Sequence, residues 1–327
     1  MARETLTLWT QTALKGPFYI ARKVWRTLWV PWLIITEAFE TFIWTPKRVA
    51  NTSTSEDFSQ TVHADRKSAV RQGLDHWWAP NPVSTDILLQ RSLAADILRP
   101  LIIEIYRADI LRRTNPTASR TPLLGAGICN IQCGPGFLSE LLVEAGADVT
   151  GIDTTNDLIM VARAHFQKCK DKTARPTYLT MSAEELVQQH GLRYDVVVCS
   201  QPLNQSIDWR ASMRNAGRLV RDGGCIVFLC PNRTAASFLW NIVMLGQLLE
   251  YFSTHMFRLY QFLRPRVVAE QAEKNGMDVV SVRGFYPWCW TRRGLKWIFS
   301  NYTGFWYAIV LEKPSVDVYN GVKKRVV

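Results

Sequence analysis

The chain has 327 residues, of which 47% are hydrophobic, 20% charged and 11% aromatic. This composition supports one large core or two small ones and excludes an intrinsically disordered chain. A mean hydropathy of −0.06 argues against a polytopic membrane protein, while a net charge of +11 and 13 Trp point to a surface or a partner.

Residues 1–50 read as a basic, Trp-rich arm. Through residue 36 the charged residues are Arg3, Lys15, Arg22, Lys23 and Arg26 with Glu4. This acid-poor start resembles a mitochondrial targeting segment, expected here to stay with the protein. The apolar run 27–36 is too short to cross a bilayer. Trp9, Trp25, Trp29, Trp32 and Trp44 have no core of their own, so the arm is expected to dock on lipid or protein. Residues 51–75 are polar and read as a linker. From about 86 to 113, Ile87, Leu88, Leu93, Ile97, Leu98, Leu101, Ile102 and Ile105 recur at helical spacing. They predict a helical hairpin, or one long helix broken near Pro100.

After Pro122 strands and helices alternate. Strands are predicted at 123–131, 148–152, 177–181, 194–200 and 225–230, with helices at 137–145, 156–168, 183–190 and 209–220. This order gives an α/β fold with a parallel, doubly wound sheet that binds ligands at the carboxyl ends of its strands. Residues 278–284 and 306–312 predict antiparallel strands closing the sheet. Residues 234–263 form an apolar, helix-length insert, and 315–327 a basic tail. The seven cysteines lie mostly in apolar runs without C-x-x-C spacing, as expected of reduced, buried thiols. Between 283 and 327 Arg and Lys interleave with Trp288, Trp290, Trp297 and Trp306. This segment predicts either a docking surface or a solvated basic face. No run of five Lys/Arg and no nucleic-acid-binding motif accompanies the charge, so no nucleic-acid partner is expected.

The strings His76-Trp-Trp78, Ile128 to Gly136 (Ile-Cys-Asn-Ile-Gln-Cys-Gly-Pro-Gly), Thr150-Gly-Ile-Asp153, Tyr194-Asp195, Asp222-Gly-Gly224, Pro231-Asn-Arg233 and Ser253-Thr-His255 stand in an order that resembles a known family. They are similar to class I S-adenosylmethionine-dependent methyltransferases, specifically the ubiquinone-biosynthesis O-methyltransferases. The resemblance covers 76–314 and implies a Rossmann-like methyltransferase sheet with a helical N-terminal extension. It implies S-adenosylmethionine held by the glycine-rich turn at Gly134 and Gly136, with Asp153 on the ribose hydroxyls. The plain reading of the same residues is a tight turn and a helix cap.

The chain departs from the family pattern at three places. Asn130 stands where the resemblance implies an acid, and Gln132 where it implies a glycine. Gln201, Asn204 and Gln205 stand where it implies Glu, Glu and His holding a divalent cation, and neutral amides bind hard cations weakly. In the helix near 92 only Arg99 of a family pattern remains, with Asp96 replacing an Asn. His255 is retained as a candidate base or a structural hydrogen-bonder, while His165 and His190 are expected to face solvent. These losses lead to the expectation of a catalytically impaired, ubiquinone-methyltransferase-like subunit of a mitochondrial assembly. It would sit peripherally on the matrix side of the inner membrane, with lipid and other subunits as partners. An active, metal-free O-methyltransferase is the alternative.

Overall fold

In the computed structural model the described residues are 77–78, 85–113, 121–168, 176–190, 194–206, 208–248, 258–291 and 294–314. The arm 1–50, the linker 51–75, His255 and the tail 315–327 lie outside them. The described residues build one eight-stranded sheet of order β3-β2-β1-β4-β5-β8-β6-β7. Strands β1 (Gly127–Ile131), β2 (Asp148–Asp153), β3 (Thr177–Thr180), β4 (Tyr194–Cys199) and β5 (Val220–Pro231) run parallel. Strands β6 (Asp278–Thr291), β7 (Gly294–Ser300) and β8 (Trp306–Glu312) add antiparallel pairs. The chain order reverses between β1 and β4, the place where a doubly wound sheet opens a crevice at its strand ends.

Helix α1 (Thr85–Leu93) runs through a π-helical stretch at Ala94–Leu98 into α2 (Arg99–Arg113). This is the single long helix, not the hairpin. Pro100 has no N–H and its ring crowds the carbonyl four residues back, so the regular ladder widens just before it. Helices α3 (Phe137–Glu144), α4 (Asn156–Lys168), α5 (Ala183–His190) and α6 (Trp209–Leu219) follow their strands. Helix α6 starts where the Asp208 carboxylate accepts from the Arg210 and Ala211 N–H groups, the side-chain cap a helix start needs. The apolar insert begins with α7 (Ala235–Ser237), continues as a π-helix over Phe238–Leu248, and α8 spans Pro265–Lys274.

Several boundaries differ from the sequence reading. Residues 122–125 form turns, so the first strand starts only at Gly127. The Asp222-Gly-Gly224 string lies inside β5, which bulges between Val220 and Cys225 against β4. Strand β7 was not foreseen, because Gly294–Ser300 reads as part of a basic, aromatic surface. Its alternation places Leu295 and Trp297 in the core, 2% and 1% exposed, with Lys296 outward. Trp306 is also fully buried. Thus two of the four tryptophans assigned to a docking surface are core residues, while Trp288 is 66% exposed.

Polar contacts fasten these aromatics. Trp297 Nε1 donates to Ser92 Oγ at 3.0 Å and Trp306 Nε1 donates to Asn241 Oδ1 at 2.7 Å. The Trp297 amide donates to Asp96 Oδ2 at 3.0 Å, and Lys296 pairs with the same carboxylate. Arg283 pairs with Glu104, and Lys313 with Asp222 at 3.2 Å. Part of the basic charge read as docking surface is therefore matched within the fold.

Candidate functional site

Everything singled out around the glycine-rich turn converges at the carboxyl ends of β1, β2 and β4. The turn 132–136 leaves β1 and enters α3. Gly134 and Gly136 have φ of 56° and 92°, and Gln132 also has a positive φ of 54°. A left-handed backbone costs an L-residue with a side chain about 1–2 kcal/mol, and glycine almost nothing. Gln132 is held there in part by Cys199, whose thiol donates to Gln132 Oε1 at 3.2 Å. At Gly136 space adds to conformation: a Cβ would meet the Tyr178 hydroxyl at 2.4 Å.

Asp153 ends β2 and is 2% exposed. Its Oδ2 accepts from the Gly134 N–H at 3.0 Å and its Oδ1 from the Thr155 N–H at 2.9 Å. The acid thus ties the glycine turn to the start of α4. Asn130, fully buried, donates from Nδ2 to Ser139 Oγ at 2.9 Å and accepts from Ser200 Oγ–H at 2.7 Å. A neutral amide with a donor and an acceptor matches two hydroxyls here, where a carboxylate could only accept.

Over the turn lies a layer that sequence reasoning only touched through the His76-Trp-Trp78 string. Trp78 Nε1 donates to the Pro135 carbonyl at 3.2 Å. Its ring stacks on His165 at 3.6 Å between centroids and packs edge-on against Phe137 at 4.7 Å. His165 Nδ1 lies 2.8 Å from the buried Glu140 carboxylate. His165 is therefore a packing and hydrogen-bonding residue, contrary to the expectation that it faces solvent. Arg91 sits above the Trp78 and Phe137 rings and bonds the Trp77 carbonyl, and burial lowers its pKa from the ordinary guanidinium value. Neither the Tyr178 contact nor the Trp78 stack has a spacing signal, because both join residues distant in the chain.

Beyond β4 the chain makes one 3₁₀ turn, Leu203–Gln205. Gln201, Asn204 and Gln205 are all buried. The Asn204 Nδ2 and Oδ1, Gln205 Nε2 and Oε1, and Ser206 Oγ atoms are buried without a hydrogen-bond partner. Below them Cys230, at the end of β5, lies against the Leu203 and Asn204 amides, and burial raises its thiol pKa to about 12. Among the described residues no group of three or more His, Cys, Asp or Glu side chains could hold a metal ion.

A family model described as "Methyltransferase domain" matches residues 129–228. The ubiquinone biosynthesis O-methyltransferase of Methylococcus capsulatus is 31% identical over 166 residues, covering 51% of this chain and 69% of that protein. That of Bordetella avium is 32% identical over 162 residues, covering 50% and 66%. The chain belongs to the ubiquinone-biosynthesis O-methyltransferase family. The human mitochondrial member of this family is 26% identical over 234 residues, 71% of this chain and 57% of that protein. Among solved structures, a magnesium protoporphyrin IX methyltransferase from Synechocystis with bound S-adenosylhomocysteine has 16% identity and a TM-score of 0.49, covering 80% of this chain and 99% of that one. The matched stretch spans about two thirds of the bacterial family members, and the eight-stranded sheet is the class I methyltransferase architecture.

The residues present fit the cofactor of this family only in part: Gly134, Gly136 and Asp153 match it, while Asn130 and Gln132 depart from it. Gly134 and Gly136 shape the turn, and Asp153 stands beside it with its carboxylate bonded to the Gly134 and Thr155 N–H groups. They do not fit its metal. Three neutral amides offer no charge to a divalent ion, and the Cys230 thiol beside them stays protonated at neutral pH.

Proposed function

We propose that this chain keeps the methyltransferase scaffold without the family's metal-assisted O-methylation. It would serve as an accessory subunit of a mitochondrial inner-membrane assembly such as a respiratory complex. The observation that carries the reading is the buried, uncharged set Gln201, Asn204 and Gln205 at the end of β4. A hard cation there would lower the pKa of an attacking hydroxyl, and amides cannot supply that field. The mitochondrial placement is supported by the human relative's name and by the acid-poor start of the chain. None of the described helices is long and apolar enough to cross a membrane; on this reading the chain would attach peripherally on the matrix side, the basic arm facing lipid or neighbouring subunits.

The second reading is an active, metal-free O-methyltransferase, and the relatives' names favour it at family level. S-adenosylmethionine, when bound, supplies a methyl group on a sulfonium. Gly134 and Gly136 would hold its methionine portion and Asp153 its ribose, and His255 would accept the substrate proton. In-line positioning alone can carry methyl transfer.

Calorimetric titration of the purified chain with S-adenosylmethionine, with and without Mg²⁺, separates the two. The accessory reading expects no micromolar binding, no response to Mg²⁺, and co-migration with a large membrane assembly on native gels. Micromolar binding with methyl transfer to a phenolic acceptor overturns it. The pair Asn130→Asp and Gln132→Gly should recover cofactor binding if the turn alone is at fault.

A further inference from the structure

A second concave site lies at the opposite end of the sheet from the glycine turn. It is a cavity of about 150 Å³ between α2 and strands β5, β6 and β8. Cys225, one of its lining residues, stands in register with Val196, which stands in register with Ile128 near the start of β1. The cavity is therefore level with the amino ends of the parallel strands, whereas ligands of a doubly wound sheet bind at the carboxyl ends. Two irregularities open it. Strand β5 bulges between Val220 and Cys225 against β4, with Gly223 inside the bulge, and β6 shifts register against β8 between Val279 and Ser281. Gly223, Ser281 and Ala108 of α2 are all small, so the gap that the two irregularities leave is not filled. Close-packed interiors rarely keep such a volume, and β-bulges are frequent beside binding sites.

We propose that this cavity is a ligand site for a small ring-bearing amine, an apolar six-membered ring carrying an ammonium group. Volume and walls select the ring. Leu101, Ile105, Val280 and Val310 line the cavity, and a void of about 150 Å³ between aliphatic side chains holds one such ring. Val280 is 48% exposed, an apolar wall that a bound ring would cover. The polar lining selects the ammonium. It holds two carboxylates, Glu104 and Glu312, against one guanidinium, Arg283. Arg283 takes Glu104 in a two-pronged pair, with Nη1 donating to Oε2 at 2.7 Å. Neighbouring Lys313 and Asp222 pair with each other at 3.2 Å. A carboxylate accepts several hydrogen bonds at once, so an ammonium can donate to this rim beside the partners its acids already have. An anion would meet one more acid than base. The site shares no residue with the glycine turn or with the amides after β4, so it stands whether or not the chain methylates.

Thermal unfolding of the full-length chain with benzylamine tests the proposal. Benzylamine should raise the melting temperature saturably, as ligands of the folded state do. Methylammonium, the charge without the ring, and benzoate, the ring with the opposite charge, should not. Ala108→Leu narrows the cavity and should abolish the shift while leaving the unliganded melting temperature nearly unchanged, since leucine suits a helix almost as well as alanine. If that variant does not fold, Ser281→Leu fills the same space from β6. Glu312→Gln keeps the shape, removes the charge, and should weaken benzylamine binding by about tenfold, as loss of one charge-assisted hydrogen bond does. No shift with benzylamine, the result expected if only ordered water fills the cavity, overturns the proposal. Equal shifts with benzoate or methylammonium overturn its chemistry, and a benzylamine shift that Ala108→Leu and Glu312→Gln both leave intact overturns its location. Titration with S-adenosylmethionine bears on the function proposed above alone, so failure of one reading is distinguishable from failure of the other.

Discussion

Gly136 shows how one residue can satisfy two constraints that a sequence motif merges. Its φ of 92° favours glycine, and Tyr178 fills the space a side chain would need. Gly136→Ala is expected to destabilise the fold by about 1–3 kcal/mol, from left-handed strain and overpacking together. Adding Tyr178→Phe removes the 2.4 Å contact but leaves the ring carbon at 3.0 Å, so urea denaturation should show partial recovery. No recovery at all would mean that the backbone alone requires the glycine. At Gln132 the sequence identified a misfit to the family pattern. The structure shows how it is tolerated, through a left-handed backbone and a hydrogen bond from Cys199. The neutral network of Asn130 with Ser139 and Ser200 was invisible in the sequence, because its partners lie 9 and 70 residues away.

At the scale of elements, the joint between the α1–α2 helix and strand β7 is the least expected part of the fold. Trp297 donates to Ser92, and Asp96 receives both the Trp297 amide and Lys296. Both Ser92 and the Trp297 ring are buried, so removing either partner strands a polar group at a cost of about 1–3 kcal/mol. A double-mutant cycle of Ser92→Ala and Trp297→Phe should show coupling of about 0.5–1.5 kcal/mol, with the double variant less destabilised than the sum. Additive losses would show that the hydrogen bond contributes nothing. The Arg283–Glu104 pair, about half exposed on both sides, is expected to add at most about 1 kcal/mol. Strand–helix alternation was readable from 127 to 231, since hydrophobic periodicity and glycine turns agree there. The segment from 283 onward was misread in part, because charge and Trp content resemble a surface until the partner helix is known.

For the molecule as a whole, titration of buried acids gives a directional test. Burial raises the Cys230 thiol from 9.0 to about 12, and burial also raises the Tyr178 and Tyr307 phenols above their ordinary value. Above pH 9 the unfolded chain loses the Cys230 proton while the folded chain keeps it, so stability falls as pH rises toward 12. Each such group contributes a slope of up to about 1.4 kcal/mol per pH unit in that window. Stability from denaturant unfolding should thus be flat across neutral pH for these groups and decline steeply above 9. Replacing Cys230 by Ala should flatten that decline, and an unchanged profile would contradict the assignment.

From its sequence alone this protein declared a parallel, doubly wound sheet, a glycine turn with an acid one strand further on, and amides at Gln201, Asn204 and Gln205 where the family resemblance implies charged ligands. Those features are local patterns of period, turn chemistry and side-chain charge, all of which survive in a linear string. Tertiary structure decided that Trp297 and Trp306 are core, that Trp78 and His165 roof the glycine turn, and that the amides after β4 are buried without partners. Burial and pairing depend on which distant segments meet, and long-range packing carries no periodic signal along the chain.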